Sequence, residues 1–182
     1  DEALQALRKG LKLPPKTICI TFDDGLRDNY TQAYPILKNH GFKATFYLVT
    51  SFIGHDLPFP WLRQKKHGMP LKWEDVSIMA SSGMIFGSHS HTHPLMKKLD
   101  KTAMRKEIDS SLQCLKQKLT APSNVFVCPY GVSGKKRNEL ISVLRSSEYG
   151  AAFLGRFGMV HSQSNLFNLP RVTIYGYDSV NV

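Results

Sequence analysis

Residues 16–25 read KTICITFDDG, an apolar run that ends in two adjacent carboxylates and a glycine. The β-branched residues in this run are typical of a buried strand, which we predict over residues 16–22. Asp23 and Asp24 then follow the carboxyl end of that strand. Crowded carboxylates favour a bound cation or a shared proton, whereas Asp-Asp-Gly is also common in turns. The stretch alone leaves both interpretations open.

The rest of the chain alternates between short β-rich runs and amphipathic helical patterns. This alternation is typical of an α/β fold in which helices cover a parallel sheet, either open or closed into a barrel. The predicted strands are residues 16–22, 43–49, 84–87, 124–127, 150–154 and 171–175, and the predicted helices are residues 29–39, 73–80, 101–119 and 136–146.

Three histidines, His89, His91 and His93, follow the third predicted strand. Imidazoles four residues apart share a helix face, and imidazoles two residues apart share a strand face. His89 could therefore chelate an ion together with either His93 or His91. Two imidazoles and one carboxylate, with a coordination position left open, suit the activation of water by a metal. The density of histidines favours a metal site over an exposed polar loop.

Cys128-Pro129-Tyr130-Gly131 follows the fourth predicted strand. Pro-Tyr-Gly is by itself an ordinary turn sequence. Its functional interpretation is a loop whose backbone N–H and aromatic ring line a pocket. Because functional residues of such folds collect beyond the carboxyl ends of strands, we expect this loop, the aspartates and the histidines to lie at one edge of the sheet.

The motifs resemble those of the NodB-homology polysaccharide deacetylases, carbohydrate esterase family 4. The first family motif matches Thr21 to Gly25 in full, the second matches His89-Ser90 and His93-Pro94, and the third matches Pro129 to Gly131. The likeness extends from residue 16 to residue 173. It implies one domain over residues 1–182, an α/β fold that forms a distorted (β/α) barrel with fewer than eight strands.

The resemblance also implies a function: metal-dependent hydrolysis of N-acetyl groups on amino sugars in a glycan. The implied cofactor is a divalent ion, usually zinc and sometimes cobalt or nickel, and His91 is not among its ligands. The implied site residues are the metal ligands Asp24, His89 and His93, the general base Asp23, and the substrate-binding pair Pro129 and Tyr130. The loop at Phe59-Pro60-Trp61 is a second candidate, beside Tyr130, for stacking on sugar rings.

The chain departs from the family pattern at the third motif. That motif normally carries an arginine that orients the catalytic aspartate, and Val127 and Cys128 occupy the nearby positions here. The fourth motif is not evident. The histidine of the fifth motif, the usual general acid, is not found before Val182, and His161 is the late histidine that we considered for that role.

A substitute for the missing arginine is visible near the end of the chain. Leu169-Pro170-Arg171-Val172 resembles a late segment of the biofilm-type poly-N-acetylglucosamine deacetylases, which also lack the standard arginine. We predict that Arg171 reaches Asp23, so that a guanidinium fork aims the carboxylate. Asp23 and Arg171 are therefore the candidate catalytic pair.

The net charge of +10 raises the question of a polyanionic partner. The basic residues form separate clusters at residues 63–67, 97–98 and 135–137, without the interleaved aromatics of a base-stacking platform. We therefore predict a solvated basic surface and no nucleic-acid partner. The three cysteines are too few for a disulfide framework and lack the spacing of a cysteine zinc site. We expect Cys19 in the core.

Location and activity follow from the resemblance. Asp1 to Leu4 lack the basic start and apolar stretch of a signal peptide, and the chain lacks an initiator Met, so we interpret it as a mature or trimmed form without its N-terminal context. The substrates of the family imply an extracytoplasmic location with membrane or cell-wall association. The alternative to an enzyme is a non-catalytic module of the same fold that binds metal and glycan. Asp23 favours the enzyme, because a binding site needs no general base.

Overall fold

The computed structural model describes residues 2–62 and 68–174. Within them, six parallel strands form one sheet whose spatial order is the order of the chain. The strands are β1 (Ile20–Phe22), β2 (Ala44–Leu48), β3 (Ile85–Ser88), β4 (Val125–Val127), β5 (Ala151–Phe157) and β6 (Leu169–Arg171). The sheet curls into a half-barrel, which confirms the predicted α/β fold with fewer than eight strands.

The helices lie between the strands and before the first of them. They are α1 (Glu2–Lys9), α2 (Tyr34–Asn39), which continues a π-helical turn at Asn29–Ala33, α3 (Trp73–Ser81), α4 (Lys101–Lys118) and α5 (Gly134–Arg145). The helices predicted from α2 to α5 agree with these bounds to within about two residues at most ends. The helix α1 was not predicted.

Alternating strand residues divide the core between the two faces of the sheet. Phe46 of β2 and Phe126 of β4 belong to the two clusters that include residues of α2 to α5. Tyr47 and Val127, each one residue further along, belong to a third cluster with Leu4 of α1. A shift by one residue moves a strand side chain to the opposite face. The helix α1 therefore covers the inner face of the half-barrel.

Three predicted strands are wrong at their ends. Residues 16–19, including Cys19, are exposed rather than buried. The strand β1 lies at the sheet edge and its pairing with β2 begins at Ile20, so the residues before it have no strand partner. The fifth strand continues to Phe157, three residues beyond its predicted end. The last strand is Leu169–Arg171 and shares only Arg171 with the prediction, because residues 172–174 are irregular. Tyr175, the end of the predicted strand, and the basic cluster at residues 63–67 lie outside the described residues.

The helix α4 begins where its sequence predicts. The side chain of Asp100 accepts a hydrogen bond from the backbone N–H of Ala103 at 2.8 Å, which caps the first turn. Met104 and Ile108 then face the core at helical spacing. None of the helices in the described part of the chain is both long and apolar enough to cross a membrane.

Candidate metal centre and active site

Three side chains at the ends of β1 and β3 converge on one point. An Oδ1 atom of Asp24 lies 3.4 Å from Nε2 of His89 and 3.2 Å from Nε2 of His93. One ligand atom from each of the three residues lies within 4.8 Å of the others. Both imidazoles are buried, and Asp24 is partly buried. Two imidazoles and a carboxylate form a donor set that fits a divalent transition metal such as zinc.

A backbone carbonyl fixes the tautomer of His89. Its Nδ1 lies 2.9 Å from the carbonyl oxygen of Val127, and a carbonyl only accepts, so Nδ1 carries the proton and Nε2 presents its lone pair towards Asp24. Burial lowers the pKa of His89, against the nearby carboxylates of Asp23 and Asp24, which raise it. A neutral imidazole with Nε2 free is the form that binds a metal.

Asp24 is held as an anion by the two histidines. Its backbone conformation depends on the glycine that follows it. Burial alone would raise the pKa of Asp24, but a hydrogen bond from His93 and the proximity of both histidines bring the pKa below its usual value. Asp24 has a φ of 68° and Gly25 a φ of 81°. A Cβ at Gly25 would lie 2.7 Å from the side chain of Leu48. The tight turn therefore brings the carboxylate over the end of the sheet.

The predicted contact between Arg171 and Asp23 is present. Nη1 of Arg171 donates to Oδ1 of Asp23 at 2.8 Å, and Nη2 donates to Oδ2. The same Nη1 lies 3.3 Å from the hydroxyl of Thr21, and the guanidinium carbon lies 5.5 Å from the centre of the Phe153 ring. Burial lowers the pKa of Arg171, but its contacts with Asp23 raise the pKa by more. Arg171 therefore stays a cation in this setting.

His91 lies outside the cluster of metal-ligand candidates. Its Nδ1 is 2.9 Å from the hydroxyl of Thr50, in the loop after β2. The side chain thus joins two neighbouring loops, while His89 and His93 face Asp24. Of the two pairings that the histidine spacing leaves open, the geometry brings together His89 and His93.

The third motif lies at the rim of the site. Pro129 is buried, whereas Tyr130 is exposed and its ring centre lies 4.7 Å from that of His93. Tyr130 has a φ of 59°. Burial raises the pKa of Cys128, which precedes this turn, to about 12, so that its thiol is neutral at physiological pH. His161 is exposed on the loop after β5.

Trp61 contacts the metal-ligand candidates themselves. Its ring stacks on the His93 ring at 3.9 Å, and its Nε1 donates to Oδ2 of Asp24 at 3.4 Å. Stacking of this loop on sugar rings stays a prediction, and in the structure Trp61 covers one side of the cluster. Phe59 is fully buried beneath it, at 4.7 Å. No spacing in the sequence links Trp61 to the histidines, so its aromatic character was the one available signal.

The polysaccharide deacetylase family model matches residues 10–151 of the chain. The chain is 27% identical over 173 residues to the YxkH protein of Bacillus subtilis (strain 168), covering 95% of this chain and 57% of the relative. It is 25% identical over 183 residues to a poly-β-1,6-N-acetyl-D-glucosamine N-deacetylase of Staphylococcus aureus, covering 95% of this chain and 59% of the relative. The chain thus spans less than two thirds of these curated relatives.

A solved structure has the same fold. The structure is that of the Streptococcus pyogenes deacetylase PplD in complex with acetate, and it superposes with a TM-score of 0.79 at 24% identity. The match covers 95% of this chain and 71% of that one.

Proposed function

The chain belongs to the polysaccharide deacetylase family, and on that premise we propose that it removes acetyl groups from N-acetylated amino sugars of a glycan with the help of a divalent metal ion. The observation that carries this proposal is the arrangement of Asp24, His89 and His93 at one edge of the sheet, next to Asp23 and Arg171. A binding module would need the first three residues but not an aimed carboxylate beside them.

The metal would be held by the carboxylate of Asp24 and by Nε2 of each histidine. We propose zinc, with cobalt and nickel as substitutes, because imidazole and carboxylate donors suit these ions. Such an ion polarises a carbonyl oxygen and lowers the pKa of water at its open position.

The proposed role of Asp23 is that of general base. Each carboxylate oxygen has about two acceptor sites, so the two bonds from Arg171 leave capacity for a proton. Asp23 takes a proton from the attacking water as that water adds to the acetamide carbonyl. Arg171 aims the carboxylate and does not itself contact the reacting atoms.

The rim residues are proposed to bind the substrate. The backbone N–H of Tyr130 would donate to the developing oxyanion, and the exposed ring of Tyr130 offers a face to a sugar. Pro129 is buried and fixes the turn from which this N–H projects. The carbon–nitrogen bond then breaks, the amine takes up a proton, and acetate leaves together with the free amino sugar.

The substrate that we propose first is poly-N-acetylglucosamine, because one relative of this chain is named for acting on it. Such a polymer lies outside the cytoplasm, so we propose an extracytoplasmic location, in contact with the membrane or cell wall. Free amines would make the polymer cationic.

Acetate release tests the proposal. The protein is freed of metal with a chelator and then assayed on β-1,6- and β-1,4-linked N-acetylglucosamine oligomers, with zinc, cobalt or nickel restored. We expect release that requires an ion and that Asp23→Asn abolishes. If metal and oligomers bind without any release of acetate, the enzyme is excluded and a non-catalytic glycan-binding module takes its place.

A further inference from the structure

We propose that Glu107, on the outer helix α4, is a positioning residue for the metal ligands. It holds the backbone of residues 91 and 92, between the two histidines that would bind the ion. This inference rests on the proposed metal site of Asp24, His89 and His93, and it assigns the accuracy of that site to a side chain that touches none of the three.

The turn that carries the histidines needs support from outside. His89 directly follows β3, and the chain then passes through two non-glycine residues in the left-handed region, Ser90 at a φ of 68° and His93 at a φ of 61°. Such residues cost free energy and persist only where their surroundings fix them. The conformation of this turn sets the separation of the two imidazoles.

Glu107 contacts the middle of the turn, where the backbone N–H of Ser51 also donates to the His91 carbonyl at 3.0 Å. Its Oε2 accepts hydrogen bonds from the backbone N–H of His91 at 3.0 Å and of Thr92 at 2.8 Å. Its Oε1 accepts a hydrogen bond from the Thr92 hydroxyl at 2.7 Å. Charge-assisted bonds of this kind are stronger than bonds between neutral groups. One carboxylate thus fixes two successive peptide groups between His89 and His93.

The helix α4 also contacts the start of the turn. Ser111, one helical turn after Glu107, lies with its hydroxyl 2.7 Å from that of Ser88. The Ser88 hydroxyl accepts from the backbone N–H of Ser90 at 3.1 Å. Both serine side chains are fully buried. The ligand-bearing turn is therefore attached to α4 at two points, one buried and one partly exposed.

Glu107 makes different contacts from Asp109, the next acidic residue on the same helix. Asp109 is exposed and lies 3.8 Å from Arg105, an ordinary surface pair. Among residues 2–62 and 68–174, Glu107 takes part in no salt bridge, and its oxygens go to the turn instead. A carboxylate that accepts three hydrogen bonds from the turn between two metal-ligand candidates is best explained by a role in positioning those ligands.

The test measures metal binding without any substrate. Zinc affinity is determined by competition with a coloured chelator, and the cobalt form is characterised by its visible absorption spectrum. We expect Glu107→Ala to weaken zinc binding about 10–100-fold and to change the cobalt spectrum. Asp109→Ala, which removes the same charge from the same helix, is the matched control and should leave both readouts unchanged.

Two milder variants keep the test decisive if Glu107→Ala does not fold. Glu107→Gln retains one acceptor oxygen at the same reach and should restore most of the affinity. Thr92→Val removes only the hydroxyl bond from an exposed residue, and we expect a several-fold loss, the usual effect of one hydrogen bond.

Unchanged zinc affinity and an unchanged cobalt spectrum in Thr92→Val, together with wild-type affinity in any folded Glu107→Ala, would overturn the inference. A lower melting temperature without weaker metal binding would also overturn it, because that result assigns Glu107 to stability alone. Failure of the enzyme proposal looks different: the wild-type protein would bind metal and respond to these changes while releasing no acetate.

Discussion

Arg171 contacts both carboxylate oxygens of Asp23, a residue 148 positions earlier in the chain. Asp23 follows the first strand of the half-barrel, and Arg171 ends the last one. These strands lie at opposite edges of the sheet, so the contact joins the two edges of the half-barrel. The orientation of the proposed base thus depends on the curl of the whole sheet.

Replacing Arg171 should lower turnover more than substrate binding. Without the guanidinium fork, Asp23 is free to rotate, and we expect Arg171→Ala to reduce kcat about 100-fold with a small change in KM. The kcat of Arg171→Lys should lie between those of the wild type and of Arg171→Ala, because an ammonium group keeps the charge but lacks the planar fork. The measurement is steady-state acetate release. The control is Arg156→Ala, at an exposed position on β5. Full activity and an unchanged pH profile in Arg171→Ala would contradict this role.

Asp23→Asn should separate catalysis from metal binding. The amide keeps the shape of the side chain but cannot act as the base, so kcat should fall by about 10²–10⁴. Zinc affinity should stay within the range of the wild-type protein, since Asp24 and both histidines are intact. Asp28→Asn, an exposed position in the same loop, is the matched control. Retained turnover in Asp23→Asn would assign the base to another group.

The two neighbouring histidines should respond differently to alanine. His93→Ala removes a proposed ligand and should weaken zinc binding by at least about 100-fold, whereas His91→Ala removes only the contact with Thr50 and should change zinc binding far less. Calorimetric titration of metal-free protein with zinc distinguishes them. Equal losses in both variants would show that the ligand set includes His91 or that the turn collapses in either case.

Metal removal should lower thermal stability. An ion that binds only the folded state adds about 2.7 kcal/mol when present at 100 times its Kd, which corresponds to a rise of roughly 5–11 °C in Tm for a domain of this size. Calorimetry with zinc and with chelator measures the difference. The His93→Ala protein should show almost none of it. A wild-type Tm that zinc does not change would argue against a preformed site.

The site residues that could be predicted from sequence are those that lie in short motifs. Asp24 and His89 are far apart in the chain, but each lies just beyond the end of a strand, and His93 follows His89 by four residues. Parallel strands bring their carboxyl ends to one edge. The fold followed from the same alternation of strands and helices. The contact of Arg171 with Asp23 was predicted from a family likeness, because nothing in the spacing of two residues so far apart indicates it.

The supporting contacts were missed for identifiable reasons. The Val127 carbonyl that orients His89 is a backbone group, so its side chain gives no signal. Glu107 occupies an ordinary polar position of an amphipathic helix, where a solvated acid is the usual interpretation. Cys19 is exposed because the pairing of β1 with β2 begins only at the next residue, Ile20. Each of these depends on which elements become neighbours, and local patterns do not contain that information.

The ligand candidates lie on the loops after β1 and β3, whereas Arg171 lies on β6. In a chain synthesised from its N-terminus, the ligand candidates therefore leave the ribosome before the residue that aims Asp23. The last strand to be made is therefore the one that pairs Asp23 with its arginine, and the proposed base is the last part of the site to be completed.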